Sequence, residues 1–171
     1  MALILPVKDS HPQIGNDCFI AENATIVGDF SCGNHCSFWF NSVVRADVNS
    51  ISLGDYVNVQ DGAVIHCTYE KTKTVIGDRV SIGHNAIIHG CTIESYVLIG
   101  MGAIVMDNAV VKSGAIIAAG SVVLENTVVE GGQLYAGVPA RFVKDVPDSL
   151  KKGEIERTAT NYALYSSWFK K

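Results

Sequence analysis

The sequence predicts an all-β chain wound as a parallel β-helix with three flat faces, followed by one C-terminal α-helix. Three observations carry this. An apolar residue recurs at every sixth position over most of the chain, a small or β-branched residue follows four positions later, and beyond Arg141 the pattern gives way to aromatic residues at helical spacing. The repeat starts at Ile14, Ile20 and Ile26, runs through Cys32, Phe38 and Val44, and after a stretched unit resumes at Leu53, Val59 and Ile65. A second run begins at Ile76, passes Ile82 and Ile88, shortens once to Ile93, and steps by six through Ile99, Val105, Val111, Ile117, Val123, Val129 and Tyr135. Ala24, Ala63, Val80, Ala86, Val97, Ala103, Ala109, Ala115 and Ser121 lie four residues after such positions, and both sets are expected to point inward. A six-residue unit is too short for a helical repeat but fits one short strand and a corner, with three units to a coil. Stacked coils satisfy one another's backbone groups, with strands about 4.8 Å apart, so like residues form ladders along each face.

The Ile-Gly pairs at 14, 76, 82 and 99 let the chain bend between strands. Val146-Pro147-Asp148 then breaks the chain before a helix expected from about Thr158 to Lys170. Its Tyr162, Tyr165 and Phe169 should pack on the outside of the prism and cover coils or sheet edges. The repeat, about 14–140, and the helical segment, about 147–171, read as a single domain of 171 residues.

Composition narrows the function classes. Thirteen Lys and Arg against seventeen Asp and Glu, with no dense basic cluster, argue against a nucleic-acid partner. The few apolar residues before Pro6 are too short for a signal peptide and no apolar run reaches membrane-spanning length, so a cytoplasmic chain without a membrane partner is expected. Five cysteines, Cys18, Cys32, Cys36, Cys67 and Cys91, are an odd number without a secretory signal and read as thiols. Cys32 and Cys36 have inward register; grouping them with His35 as a metal cluster would bury ligands in an apolar interior, so they are expected to be core thiols. Cys67 follows His66, and Cys91 is expected to face outward.

Counting faces turns the repeat into chemistry. His66, His84 and His89 supply enough imidazoles for a catalytic zinc site, which needs three protein ligands and one open position. If Ile65 to Val75 is one unit with an extruded loop, the units at Val44, Ile65 and Ile88 share a face, and Arg45, His66 and His89 stack in one column. Rungs about 4.8 Å apart then let His66 and His89 reach one ion with Zn–N bonds of about 2.0–2.1 Å. His84 falls on another face, where Asp61 fills the same slot one coil earlier. At about 3.3 Å per residue, the extended stretch from His84 to His89 is too long for both to bind one ion within a chain. A neighbouring subunit therefore supplies His84, and the coil below sets Arg45 opposite that subunit's Asp61. Two different patches meeting head to tail either close into a ring or grow without limit, and a three-faced prism favours a ring of three, a homotrimer with intersubunit metal sites. His11 lies outside the repeat and His35 sits near a corner, so neither is expected to take part.

The stretches Asn41-Ser42-Val43-Val44-Arg45-Ala46-Asp47, Asn58-Val59-Gln60-Asp61-Gly62 ahead of Ile65-His66, and Ile82-Gly83-His84 through Ile88-His89-Gly90 resemble the γ-class carbonic anhydrase family of hexapeptide-repeat proteins. The resemblance covers nearly the whole chain. It implies a left-handed β-helix and a homotrimer, with His66 and His89 from one subunit and His84 from the next. It places Gln60 and Asp47 around the metal-bound water, Asn58 in the pocket, and Arg45 with Asp61 as the intersubunit pair. The activity implied is a lyase's: Zn2+, or Fe2+ or Co2+ in its place, lowers the pKa of bound water to about 7, the value in a carbonic anhydrase of unrelated fold. The hydroxide attacks carbon dioxide and bicarbonate leaves. The most active family members carry a long acidic loop and a carboxylate that export protons. Here Cys67 to Thr74 is short, Glu70 stands beside Lys71 and Lys73, and Val48 follows Asp47, so a low activity limited by proton export is expected. Two other readings stay open: an acyl transferase of the same repeat class, using a His general base and a thioester cofactor, and a non-catalytic metal-binding trimer.

Overall fold

The structure is a computed structural model that describes residues 1–169. Parallel strands wind into a prism of about 7 coils with one helical segment at the carboxyl end. On the first face, Ile26, Val44, Ile65, Ile88, Val105 and Val123 lie in register from coil to coil. The second face stacks Cys32, Leu53, Ile76, Ile93, Val111 and Val129. The third stacks Ile20, Phe38, Val59, Ile82, Ile99, Ile117 and Tyr135. Each ladder takes every third apolar position, as three units per coil require. Val44, Ile65, Ile82, Ile88 and Ile99 are wholly excluded from solvent, as are Ala24, Ala63, Ala86 and Ala103 at the corners, where only small side chains fit. Each fully buried Ile or Val stabilises the prism by about 1.5–3 kcal/mol.

The structure departs from the sequence expectation in four places. Leu3–Leu5 pairs with residues 25–27, setting Ile4 opposite Ile26, so the winding begins one unit before Ile14. The count by six misses this strand because the Pro6–Pro12 stretch, which turns through a Val7–Ser10 bridge, breaks the spacing. Cys91 is buried rather than outward: the unit from Ile88 to Ile93 is one residue short, and the inward corner falls on Cys91. Arg141–Asp145 folds back antiparallel onto Gln133–Ala136 and ends the third face. Finally, the helical segment starts at Asp148–Leu150, continues through a π-helical Lys151–Glu156, and ends in Arg157–Ser167. Its early turns carry no aromatic stripe; Leu150 and Ile155 pack instead with Ile116 and Val146.

The helix runs back along the third face. Tyr162 packs edge-on against Trp39 at 5.3 Å, and Phe169 touches Phe19, Trp39 and Phe40. Lys170 and Lys171, to which the expected helix and domain extended, lie outside the described residues. Among the described residues no helix is long and apolar enough to cross a membrane.

Two outward excursions leave the corner between the first and second faces. One is the loop from Cys67 to Lys73. The other is a bulge in Val43–Leu53: Gly28 pairs with Ala46 but Phe30 with Ile51, so residues 47–50 are extruded. Both border the column of Arg45, His66 and His89.

Candidate functional site

His66 and His89 occupy adjacent rungs in register on the first face. Their facing nitrogens, His66 Nδ1 and His89 Nε2, are 3.2 Å apart. Two nitrogens on one tetrahedral ion at about 2.0–2.1 Å stand about 3.3 Å from each other. The remaining nitrogens face carboxylates: His66 Nε2 lies 3.0 Å from Asp47 Oδ1, and His89 Nδ1 lies 2.6 Å from Asp107 Oδ1. Arg45, one rung below, donates Nη1 to Asp47 Oδ2 at 2.6 Å and places Nη2 3.4 Å from His66 Nδ1. Thr68 donates its hydroxyl to Asp107 at 2.6 Å, which ties the short loop to the same cluster.

The charges here are mutually fixed. Desolvation alone would raise Asp47 and Asp107, but the Arg45 guanidinium and His66 outweigh it at the first, and the Thr68 hydroxyl and His89 at the second. Both carboxyls are held below their ordinary range. Desolvation, reinforced by Arg45 and His89, lowers His66 in spite of Asp47, which favours the neutral ring.

A second group lies on the third face. His84 Nδ1 is 2.9 Å from Asp61 Oδ2, in the column counted from the repeat, and its Nε2 is 3.3 Å from the Tyr162 hydroxyl. Buried Gln60 donates Nε2 to Asn58 Oδ1 at 3.0 Å, and buried Asn58 donates Nδ2 to Ser81 Oγ at 2.8 Å. This chain of amides locks the Gln60 side chain at the wall of a cavity it shares with His84 and Tyr162. His89 lines a different cavity, with Thr68, Met106 and Asp107.

Within one chain the structure therefore assembles Arg45, Asp47, His66 and His89 in one place, and Asn58, Gln60, Asp61 and His84 in another. It does not bring His84 to the other two histidines; among the described residues the metal-like clusters do not include them together. Nor does it join Arg45 to Asp61, whose partners within the chain are Asp47 and His84. Burial raises the Cys67 thiol and pushes Cys91 up to about 12, so neither supplies a thiolate.

Asp107, Thr68 and Tyr162 escaped the sequence reading. Asp107 stands one coil beyond His89, across the five-residue unit that shifts the frame. Tyr162 was read only as packing, although its hydroxyl reaches His84. Burial, then Asp61, pushes this hydroxyl from 10.0 up to about 12. A folded value above the unfolded one gives stability that is complete below pH 10 and lost as pH climbs toward 12. Tyr162→Phe is expected to flatten this alkaline limb in thermal melts of the metal-free protein. An unchanged limb would mean that another group causes it.

Comparison with known proteins adds to this geometry. A family profile described as bacterial transferase hexapeptide (six repeats) matches residues 90–125. The chain is 40% identical over 168 residues to a carbonic anhydrase of Geobacillus kaustophilus, covering 98% of this chain and 91% of that one. It is 38% identical over 165 residues to mitochondrial gamma carbonic anhydrase 1 of Arabidopsis thaliana, covering 94% of this chain but only 60% of that protein's length. A solved Bacillus cereus structure described as an acetyltransferase superposes with a TM-score of 0.95 at 37% identity, covering 98% of this chain and 96% of that one.

Proposed function

Since the chain belongs to the gamma carbonic anhydrase family, we propose that it is a metal-dependent lyase that interconverts carbon dioxide and bicarbonate at sites shared between subunits of a homotrimer. His66 and His89 of one subunit and His84 of the next hold the ion, Zn2+ or another first-row divalent ion that accepts imidazoles, such as Fe2+ or Co2+. The observation that carries this reading is the 3.2 Å approach of His66 Nδ1 to His89 Nε2, with a carboxylate behind each ring. Imidazoles braced in this way are the usual surroundings of a metal ligand. When bound, the ion supplies a water acidified to near neutrality, the nucleophile for carbon dioxide.

The chain's own residues do the rest. Asp107 and Asp47 fix the tautomers so that the two facing nitrogens keep their lone pairs. Gln60, held by Asn58, orients small polar groups on the His84 side. Arg45 pairs with Asp61 of the adjacent subunit and sets the register of the two columns. Glu70 stands beside Lys71 and Lys73 on a short loop, so proton export falls to the buffer.

Carbon dioxide hydration by metal-loaded protein tests this directly. The rate should rise from mildly acidic to alkaline pH and with buffer concentration; a flat profile with the metal still bound would refute it. Asp107→Asn, which removes the brace on His89, is expected to weaken metal binding about 10–100-fold in competition with a chromogenic chelator. Equal affinity would mean that Asp107 does not support a ligand.

A second reading, acyl transfer from a thioester, draws on the Bacillus cereus likeness and on the 2.9 Å His84–Asp61 pair, which would serve as a general-base dyad. Thioester turnover by metal-stripped protein would favour it. Metal-dependent hydration without such turnover would eliminate it.

A further inference from the structure

At its amino-terminal end the prism carries sulfur where the coils above carry hydrocarbon. Cys32 continues the second-face ladder below Leu53 and Ile76. Cys18 and Cys36 fall at the corner four residues after a ladder position, where Val57, Val80 and Val97 stand in later coils. The three sulfurs lie within 4.8 Å of one another. Cys36 is buried, while Cys18 and Cys32 are half-buried near the exposed end of the stack.

Two of the thiols are held by the backbone: Cys18 Sγ donates to the Gly33 carbonyl at 3.4 Å and Cys36 Sγ to the Gly54 carbonyl at 3.1 Å. Hydrogen bonds from Cys32 and then Cys36 draw the Cys18 thiol far below its ordinary value, while those two are raised. The three sulfurs thus converge in one half-buried pocket.

We propose that Cys18, Cys32 and Cys36 form a second metal site, independent of the histidines, that takes Zn2+ through three thiolates. Zn–S bonds of about 2.3 Å set sulfurs about 3.8 Å apart around a tetrahedral ion, a spacing inside the 4.8 Å span of the cluster. Soft thiolates select such an ion over the oxygen-seeking divalent cations. Uptake displaces the thiol protons of all three.

Co2+ is the probe. Reduced, chelator-stripped protein should develop a thiolate-to-cobalt charge-transfer band in the near ultraviolet, and Zn2+ should bleach it. His89→Ala should keep the band. Cys32→Leu and Cys36→Val should lose it together with one equivalent of zinc per chain. These substitutions copy Leu53 and Val57 of the coil above, and circular dichroism reports whether they fold. Cys67 and Cys91 remain in every variant, so the signal cannot be theirs. Should a variant not fold, alkylation of the native chain decides: zinc must shield Cys18, Cys32 and Cys36 from a thiol reagent. Absence of the band in reduced native protein, its survival in Cys36→Val, or free alkylation of Cys18 under saturating zinc would each overturn the site.

Discussion

His66→Ala and His84→Ala chains are each expected to lose metal binding and carbon dioxide hydration by about 100-fold or more, and to regain part of both when co-assembled. Loss of a residue behind a ligand weakens such sites about 10–100-fold, and loss of the ligand itself must exceed that. The two variants damage different columns. Where the intact His66/His89 column of a His84→Ala chain meets the intact His84 of a His66→Ala chain, a mixed ring contains one whole site. If all three ligands came from one chain, neither variant could contribute a whole site and mixing would restore nothing. Metal content and hydration rate of mixed trimers, verified by mass spectrometry, give the answer; no recovery would overturn the shared site.

The second large effect is expected far from any histidine. Gly28 adopts φ +84°, and a Cβ built there would lie 2.0 Å from the Ala46 carbonyl oxygen. Ala46 is the point from which residues 47–50 leave the sheet, so displacing it moves Asp47 away from His66. Gly28→Ala should cost about 2–5 kcal/mol, from the left-handed backbone and from overpacking against a main-chain atom. It should also weaken metal binding. Gly102→Ala is the control: its φ is +67° but nothing lies within 4 Å of the added methyl, so only the backbone penalty of about 1–2 kcal/mol applies. Equal losses in denaturant unfolding would show that the Ala46 contact does not matter.

The period of six reveals much of this because a ladder residue's neighbours are set by counting. That is why the His66/His89 column and the Asp61/His84 pair could be read from spacing alone. What breaks the count could not be read. The five-residue unit hid the inward turn of Cys91 and the approach of Asp107 to His89. The Pro6–Pro12 stretch hid the strand at Leu3–Leu5. The inward register of Cys32 and Cys36 was legible, but the third member of their cluster is Cys18, one coil away. His35, their sequence neighbour, stacks on Tyr56 with ring centroids 4.7 Å apart. Tyr162 belongs to a segment with no period of six at all, and only tertiary docking brings it to His84.

That docking also changes how the protein comes apart. A stack of coils unwinds from whichever end is free, since each coil holds only its neighbours. Here the carboxyl-terminal helix returns along the third face until Phe169 rests 5.4 Å from Phe19, and Met1 lines the same hollow. First and last segments are thereby latched to each other, so the amino-terminal coil cannot peel away until the latch lets go. Pulled from its two ends, such a chain should resist as one body and then yield in a single long step rather than coil by coil.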